Sequence, residues 1–305
     1  MRKYASIPNM LEQLTIFSVM NILTNARRAA IIRALVEGNS IRATARLTNS
    51  AKATVLKLLV EIGEFCSVYQ DHALRGLNTK RVEADEIWAF VGAKQKNATK
   101  GGQGDIWTYT AIDSDSKLMI SWLVGARNHA NTQAFMVDVA ERLGNRVQLT
   151  TDGLSWYLAA VEKAFGWNGV DFAQIIKTYG IPMDETERQR RYSPAVFTGA
   201  VKTWIMGEPD MDKVSTSYVE RSNLSMRMGM RRFTRLTNGF SKKAENHAHA
   251  VSLYFMHYNF CKPHTTLTAA NGGIKTTPAM AAGLTDRAWK IEDILDRMRH
   301  DHLLH

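Results

Sequence analysis

The chain has 305 residues, of which 45% are hydrophobic and only 6 are prolines, so it can bury a substantial core and is not a disordered chain. Its two cysteines are too few for a disulfide framework, and no apolar run approaches the ~20 residues that span a bilayer. A formal net charge of +10 favours a polyanionic partner. We expect two or three domains and a reducing, cytoplasmic environment.

The charge is unevenly distributed along the chain. Residues 1–80 and 188–243 have an excess of lysine and arginine, whereas residues 81–187 between them have more acidic than basic side chains. An acidic stretch between two basic ones is typical of a carboxylate site flanked by surfaces that hold phosphates.

Residues 25–64 predict three helices, the first of which ends at the Glu-Gly-Asn of residues 37–39. Ser40 and Ser50 are the expected N-caps of the second and third helices. A short helix, a tight turn and a longer helix form a helix-turn-helix, so we predict a helical DNA-binding domain over residues 1–66. A helical bundle that binds no DNA is the alternative. The expected DNA contacts in this domain are Arg42, Arg46, Lys52, Thr54 and Lys57.

Residues 67–79 are polar and end in Gly-Leu-Asn-Thr, which predicts a linker. The pattern then changes to β-rich segments, and the turn Asp-Ser-Asp-Ser at residues 113–116 indicates an antiparallel hairpin. We predict three antiparallel strands and then a helix, a strand, a helix and a strand, at residues 81–91, 106–112, 118–124, 131–143, 147–151, 156–165 and 172–178. This order predicts an α/β fold in which helices flank a mixed sheet.

The C-terminal part of the chain is harder to assign. Residues 180–212 contain three prolines and match no element. Helical periodicity resumes beyond them, and we expect helices at residues 213–230, 242–258 and 286–299. We assign residues 271–305 to a C-terminal helical tail.

Three carboxylates are candidates for a metal site that cuts phosphodiester bonds, because two divalent cations need only a few converging carboxylates. Asp85 is the first, since a carboxylate within a β-rich run is costly unless it is paired or metal-bound. Period-two alternation places Glu83 on the same face and Glu86 on the opposite one, so charge alone does not choose between Asp85 and Glu83. Asp152 is the second, because it follows a strand end, although a turn or N-cap role is the alternative.

Glu220 is the third candidate. On a helix it is followed on one face by Asn223, Arg227 and Arg231. Such a stripe would place the acid at a metal while these polar and basic side chains, together with Arg232, contact DNA phosphates. The alternative for Glu220 is a surface ion pair with a neighbouring arginine.

Three segments around these acids follow one another along the chain: DEIWAFVG, TTDGLSWY and TSYVERSNLSMRMGMRRFTRLTNGFSK. They resemble the catalytic blocks of bacterial insertion-sequence transposases of the DDE class, and among these the insertion-sequence-one family most. The segments YNFCKPHTTL and TPAMAAGLTD resemble the C-terminal signatures of that family. The resemblance covers about residues 80–290.

The resemblance implies an RNase H-like catalytic domain, which we place at residues 80–270. It implies that Asp85, Asp152 and Glu220 hold two Mg²⁺ ions, which Mn²⁺ could replace, and it selects Asp85 over Glu83. The implied reaction is metal-dependent cleavage at the terminal inverted repeats of the element, followed by strand transfer into target DNA. It also implies a bacterial protein associated with the nucleoid, which acts as a homodimer or a larger assembly.

The chain departs from the family in two respects. The stretch from Asp152 to Glu220 is longer than in compact members, which indicates an insertion at about residues 180–212, and the N-terminal region lacks a zinc-binding cysteine cluster. Two other functions remain open. An RNase H-like nuclease would cleave DNA without strand transfer, and a non-catalytic DNA-binding regulator descended from a transposase would bind no pair of metal ions.

Overall fold

The computed structural model of this chain describes residues 23–180, 196–234 and 237–301. Its N-terminal part forms three helices in the predicted order: α1 (Asn25–Val36), α2 (Ile41–Leu47) and α3 (Lys52–Ala73). Residues 1–22 of the predicted helical domain lie outside the described residues. The three helices lie where the sequence predicted helices, whereas the helix-turn-helix assignment and DNA binding stay predictions.

The N-caps of α2 and α3 differ in kind. Ser40 caps α2 as predicted, since its hydroxyl accepts the backbone N–H of Ala43 at 3.1 Å. The hydroxyl of Ser50 instead donates to the Thr48 carbonyl at 3.1 Å, and α3 begins after Ala51 without a side-chain cap. The prediction for Ser50 was wrong because its hydroxyl completes the turn between the two helices.

Helix α3 continues to Ala73, so the prediction of a linker was wrong for residues 67–73. The polar sequence is misleading because Gln70 is fully buried, and its amide donates to the carbonyls of Cys66 and Ser252 at 2.9 and 3.3 Å. Ser252 belongs to a later helix that packs along α3. The N-terminal helices and the C-terminal half of the chain therefore share one core.

Gly63 in α3 allows a close approach of that later helix. A Cβ atom at Gly63 would lie 2.5 Å from the Cβ of His249 and 2.6 Å from its carbonyl oxygen. An alanine usually stabilises a helix by about 0.5–1 kcal/mol relative to glycine, but here it would overlap backbone atoms. We expect Gly63→Ala to lower the free energy of unfolding by about 1–3 kcal/mol in urea denaturation. Ser67→Ala at an exposed position of α3 is the control, and equal stability of the two variants would contradict this packing.

A six-stranded mixed sheet follows the N-terminal helices. Its strands are β1 (Arg81–Val91), β2 (Gly104–Asp113), β3 (Met119–Gly125), β4 (Val147–Asp152), β5 (Val170–Gly180) and β6 (Val196–Met206). Their spatial order is β3-β2-β1-β4-β5-β6. β4 runs parallel to β1 and β5, and the other neighbours are antiparallel. The predicted α/β class and the predicted order of strands β1 to β5 are confirmed.

Strand β6 was not predicted. It pairs with β5 and lies within residues 180–212, the segment that matched no element. The large apolar side chains of Val201 and Trp204 are about 60% exposed on this edge strand, so the alternation of polar and apolar residues that marks a half-buried strand is missing. Residues 181–195 of the predicted insertion lie outside the described residues.

Helices flank the sheet and complete the core. They are α4 (His129–Arg142), α5 (Trp156–Phe165), α6 (Ser217–Gly229), α7 (Ala244–Met256), α8 (Thr265–Ala270), α9 (Pro278–Ala281) and α10 (Ile291–Asp301). α4 packs against α5 and β3, α6 contacts β1 and β2, and α7 is the helix that lies along α3. In the part of the chain that the structure describes, no helix is both long and apolar enough to cross a membrane.

The described part of the predicted C-terminal tail packs onto this core. The ring of Trp289 lies 4.5 Å from that of Phe260 and 5.5 Å from that of Tyr69, measured between centroids. Helix α10 contacts α1, and an ion pair joins Glu292 to Arg33 across this contact. The two ends of the described chain therefore pack against each other.

Candidate metal centre

The candidate site is a cavity of about 660 Å³ at the carboxyl end of β4. Strand β1 pairs with β4 only from Arg81 to Ala84, so Asp85 is the first residue of β1 beyond that pairing. Asp152 is the last residue of β4, and the two parallel strands bring both aspartates to the same edge. This is the position at which open α/β sheets bind ligands.

Asp85 and Asp152 are joined there by Glu86. Carboxylate oxygens of the three residues all lie within 4.8 Å of one another. Alternation along β1 predicts that Glu86 faces away from Asp85, but β4 does not pair with β1 past Ala84, and no other described strand pairs with this edge beside Glu86. The longer side chain of Glu86 can therefore reach around the uncovered edge to the aspartates.

The carboxylates of this cluster have raised pKa values because they are buried and lie close to one another. Burial, reinforced by the charge of Asp152, raises the pKa of Asp85 to about 6 and that of Glu86 to about 7. Burial also raises the pKa of Asp152. One oxygen of Glu86, Oε1, is buried and has no hydrogen-bond partner among the described residues. A bound cation would offset both the repulsion and this unsatisfied oxygen.

Asn223 holds the carboxylate of Asp85 in place. Its Nδ2 donates to Asp85 Oδ2 at 2.9 Å, and its Oδ1 accepts from the Thr110 hydroxyl at 3.2 Å. The Asn223 side chain is buried and both of its polar atoms are engaged, whereas its predicted contact with DNA stays a prediction. It is a positioning residue for Asp85.

Glu220 lines the same cavity from the first turn of α6. Its Oε1 accepts a hydrogen bond from the Thr216 hydroxyl at 2.6 Å and forms an ion pair with Lys177. It is not a member of the cluster within 4.8 Å, although its charge contributes to raising the pKa of both aspartates. The three predicted acids thus share one cavity, with Glu220 turned towards Lys177.

Glu83 caps a helix, whereas Asp85 belongs to the acid cluster. Its Oε2 accepts the backbone N–H groups of Tyr218 and Val219, at 2.7 and 3.0 Å, in the first turn of α6. The buried carboxylate therefore caps the helix that carries Glu220, where the helix dipole favours a negative charge. Glu83 positions α6 and does not face the acid cluster.

We expect Glu83→Ala to lower the free energy of unfolding by about 1–3 kcal/mol, because the buried N–H of Val219 and the part-buried N–H of Tyr218 would lose their acceptor. Glu83→Gln keeps one acceptor oxygen and should lose less. Urea denaturation of both variants measures the difference. The exposed Glu162→Gln is the control, and a Glu83→Ala variant as stable as this control would contradict the capping role.

Two cations that were not predicted lie at the acids. The Arg127 guanidinium is 3.5 Å from Glu86 and 3.8 Å from Asp152, and it lies over the ring of Trp107. Lys177 pairs with Glu220. Both come from segments remote in sequence from their partners, so periodicity gave no signal for them. Glu86 did carry a signal, because it adjoins Asp85 in the sequence.

The predicted DNA contacts divide into separate regions. Arg42, Arg46, Lys52 and Lys57 on α2 and α3 are exposed, and Thr54 is half-buried. Arg227 lines the acid cavity with Glu220 and Asn223, in agreement with the predicted helical stripe.

Arg231 and Arg232 do not continue that stripe, because α6 ends at Gly229 and a 3₁₀ turn follows. Arg231 is exposed there. Arg232 is half-buried, and its Nη1 donates to Ser241 Oγ and to the Asn246 carbonyl, both at 2.9 Å. The expectation that Arg231 continues the helical face after Glu220 was therefore wrong, and DNA contacts by Arg231 and Arg232 stay predictions.

No family model matches the sequence, and no curated protein is similar to it. Among solved structures, the chain is similar to a pre-cleavage Mos1 transpososome, at 12% sequence identity and a TM-score of 0.22. That comparison covers 54% of this chain and 68% of the other. A TM-score this low carries no weight for the function, which has to be inferred from the acid cluster and its surroundings.

Proposed function

We propose that this protein is a DDE transposase of the insertion-sequence-one type, which cleaves DNA at the ends of its element and joins the freed 3′ ends to target DNA. One observation carries the proposal: Asp85, Glu86 and Asp152 meet within 4.8 Å at the end of two parallel strands, on a cavity that Glu220 also lines. The formal charge of +10 supports DNA as the partner.

The residues of this cavity fit divalent cations. The donor set consists of carboxylate oxygens, which Mg²⁺ prefers, and the buried Glu86 Oε1 has no other described partner. Asp85, Asp152 and Glu220 would hold the Mg²⁺ ions. When bound, the ions supply activation of the attacking oxygen and neutralise charge at the phosphate.

The side chains around the acids would orient the reaction. Asn223 keeps the Asp85 carboxylate fixed, and Glu83 keeps α6, and with it Glu220, beside the sheet. Arg127 lies within 4 Å of two acids, so its guanidinium is placed to contact a phosphate oxygen at the cluster. If Glu220 binds a cation, its ion pair with Lys177 would break, and Lys177 would then contact a phosphate instead.

The terminal repeats would be recognised by the predicted helix-turn-helix. The predicted contacts lie on α2 and α3 and are Arg42, Arg46, Lys52, Thr54 and Lys57. The four arginine and lysine side chains among them are exposed. Since two ends of an element must be processed together, we propose that a homodimer or a larger assembly performs the reaction.

The test is a strand-transfer assay on duplex DNA that carries the inverted repeats bordering the gene. With Mg²⁺ we expect cleavage at the 3′ ends and covalent joining of those ends to a target plasmid, and with EDTA neither product. Cleavage without joining would show a nuclease instead. Binding of the repeats without cleavage, and without Mg²⁺ binding in calorimetry, would show a regulator.

A further inference from the structure

A second and larger cleft, of about 910 Å³, lies between the N-terminal helices and the segment that follows α6. Six cationic side chains line it: Arg42, Lys52, Arg231, Arg232, Lys242 and Lys243. Among the described residues that line the cleft, none is an aspartate or a glutamate. The cleft is therefore strongly electropositive, and it is separate from the acid cavity.

Within the described ranges, no carboxylate forms an ion pair with the six cations of this cleft. The ion pairs between described residues join other cations to carboxylates. Arg232 is the most buried of the six, and burial lowers its pKa to about 10, so it still carries its charge at neutral pH. Its partners are the hydroxyl of Ser241 and the carbonyl of Asn246, which leave the charge uncompensated. An anionic ligand would stabilise a half-buried cation of this kind.

Aromatic and amide side chains lie among the cations. The half-buried rings of Phe240 and Tyr254 line the cleft, as do the amides of Asn39 and Asn238. A basic groove with aromatic rings is typical of sites that hold single-stranded nucleic acid, where bases stack on rings while cations follow the backbone.

The size of the cleft limits what it can hold. Its volume is within the range of about 300–1,000 Å³ that is usual for small-ligand pockets, which suits a few nucleotides and not the width of a duplex.

Helix α6 links the cleft to the acid cavity. Glu220 lies in its first turn and Gly229 at its end lines the cleft, which at about 1.5 Å per residue is a separation of about 14 Å along the axis. That distance corresponds to a few nucleotides of one DNA strand.

We propose that this cleft binds a short segment of single-stranded DNA, a few nucleotides from the phosphodiester at the acid cavity. Its position relative to that bond rests on the function proposed above, whereas the binding itself needs neither metal nor catalysis. A strand frayed from the duplex at the cleavage site would enter the cleft with its bases against the two rings and its phosphates against the cations that follow α6, which are Arg231, Arg232, Lys242 and Lys243.

The experiment measures fluorescence anisotropy of a labelled 12-nucleotide oligo(dT) in EDTA over a range of salt concentrations. The full chain is compared with the double variant Lys242→Gln, Lys243→Gln and with a control, Lys163→Gln, Lys275→Gln, which removes two exposed lysines outside the cleft. The cleft variant should weaken binding about tenfold or more and reduce the slope of log K against log salt by about 1.4, whereas the control should change neither. Thermal unfolding checks that both variants fold.

Two results would overturn the proposal. One is an equal loss of oligo(dT) affinity in the two double variants, and the other is a cleft variant that loses affinity for a blunt 12-base-pair duplex but not for oligo(dT). Asp85→Asn separates this proposal from the catalytic one, because it should bind oligo(dT) as the wild type does. If the wild-type chain binds oligo(dT) through the cleft but neither cleaves nor joins DNA, the result supports single-strand binding by the cleft and contradicts the transposase function.

Discussion

Asp85→Asn should lower DNA cleavage by about 10³-fold or more while it raises the stability of the metal-free protein. The loss of activity follows because the variant removes a carboxylate from the centre of the acid cluster. The gain in stability follows because burial and the charge of Asp152 raise the pKa of Asp85 to about 6, which means that the folded protein disfavours the ionised form. At pH 7.5 we expect the free energy of unfolding in EDTA to rise by about 1–3 kcal/mol.

The two measurements are cleavage of the end-containing duplex with Mg²⁺ and urea denaturation in EDTA. An asparagine at this position can still accept the hydrogen bond from Asn223, so the local geometry should persist. Asp286→Asn, at an exposed site, serves as the control for both measurements. Loss of activity together with loss of stability would point to a structural role for Asp85, and retained activity would remove it from the catalytic site.

The affinity for Mg²⁺ should rise on the order of 100-fold between pH 5.5 and pH 8. Metal binding requires ionised carboxylates, and the pKa values of Asp85 and Glu86 in the metal-free protein are about 6 and about 7. These folded-state values exceed the ordinary ones of 3.8 and 4.5. The contribution of both groups to folding is therefore fully present below about pH 4 and is lost as the pH rises to about 7, in the range where metal affinity increases.

Isothermal titration with Mg²⁺ at the two pH values, in buffers of different ionisation enthalpy, measures both the affinity and the protons released. Glu86→Gln should release about one proton fewer and show a shallower pH dependence, since it removes the group with the higher pKa. The exposed Glu162→Gln should behave as the wild type does. An affinity that does not change between the two pH values would contradict the close packing of these acids.

Much of the fold was predictable from the sequence because the responsible interactions are local. The order of strands β1 to β5 and helices α4 and α5 follows from alternation, helical periodicity and turn residues, which act over a few positions. Strand β6 escaped prediction because it is an edge strand whose exposed apolar side chains show no such alternation. Gln70 was misread for the opposite reason, since a polar residue can be buried when another element supplies its hydrogen-bond partner.

The sequence by itself determined the basic charge, the α/β order and the candidacy of Asp85, Asp152 and Glu220. Tertiary structure alone decided which acids meet: the end of pairing between β1 and β4 exposes an edge around which Glu86 joins the two aspartates. It also directed Glu83 to the start of α6. The physical reason is that sequence periodicity shows only which face of one element a residue lies on. Whether acidic side chains from different elements meet depends on where neighbouring strands end and on which remote cation, such as Lys177, pairs with each acid.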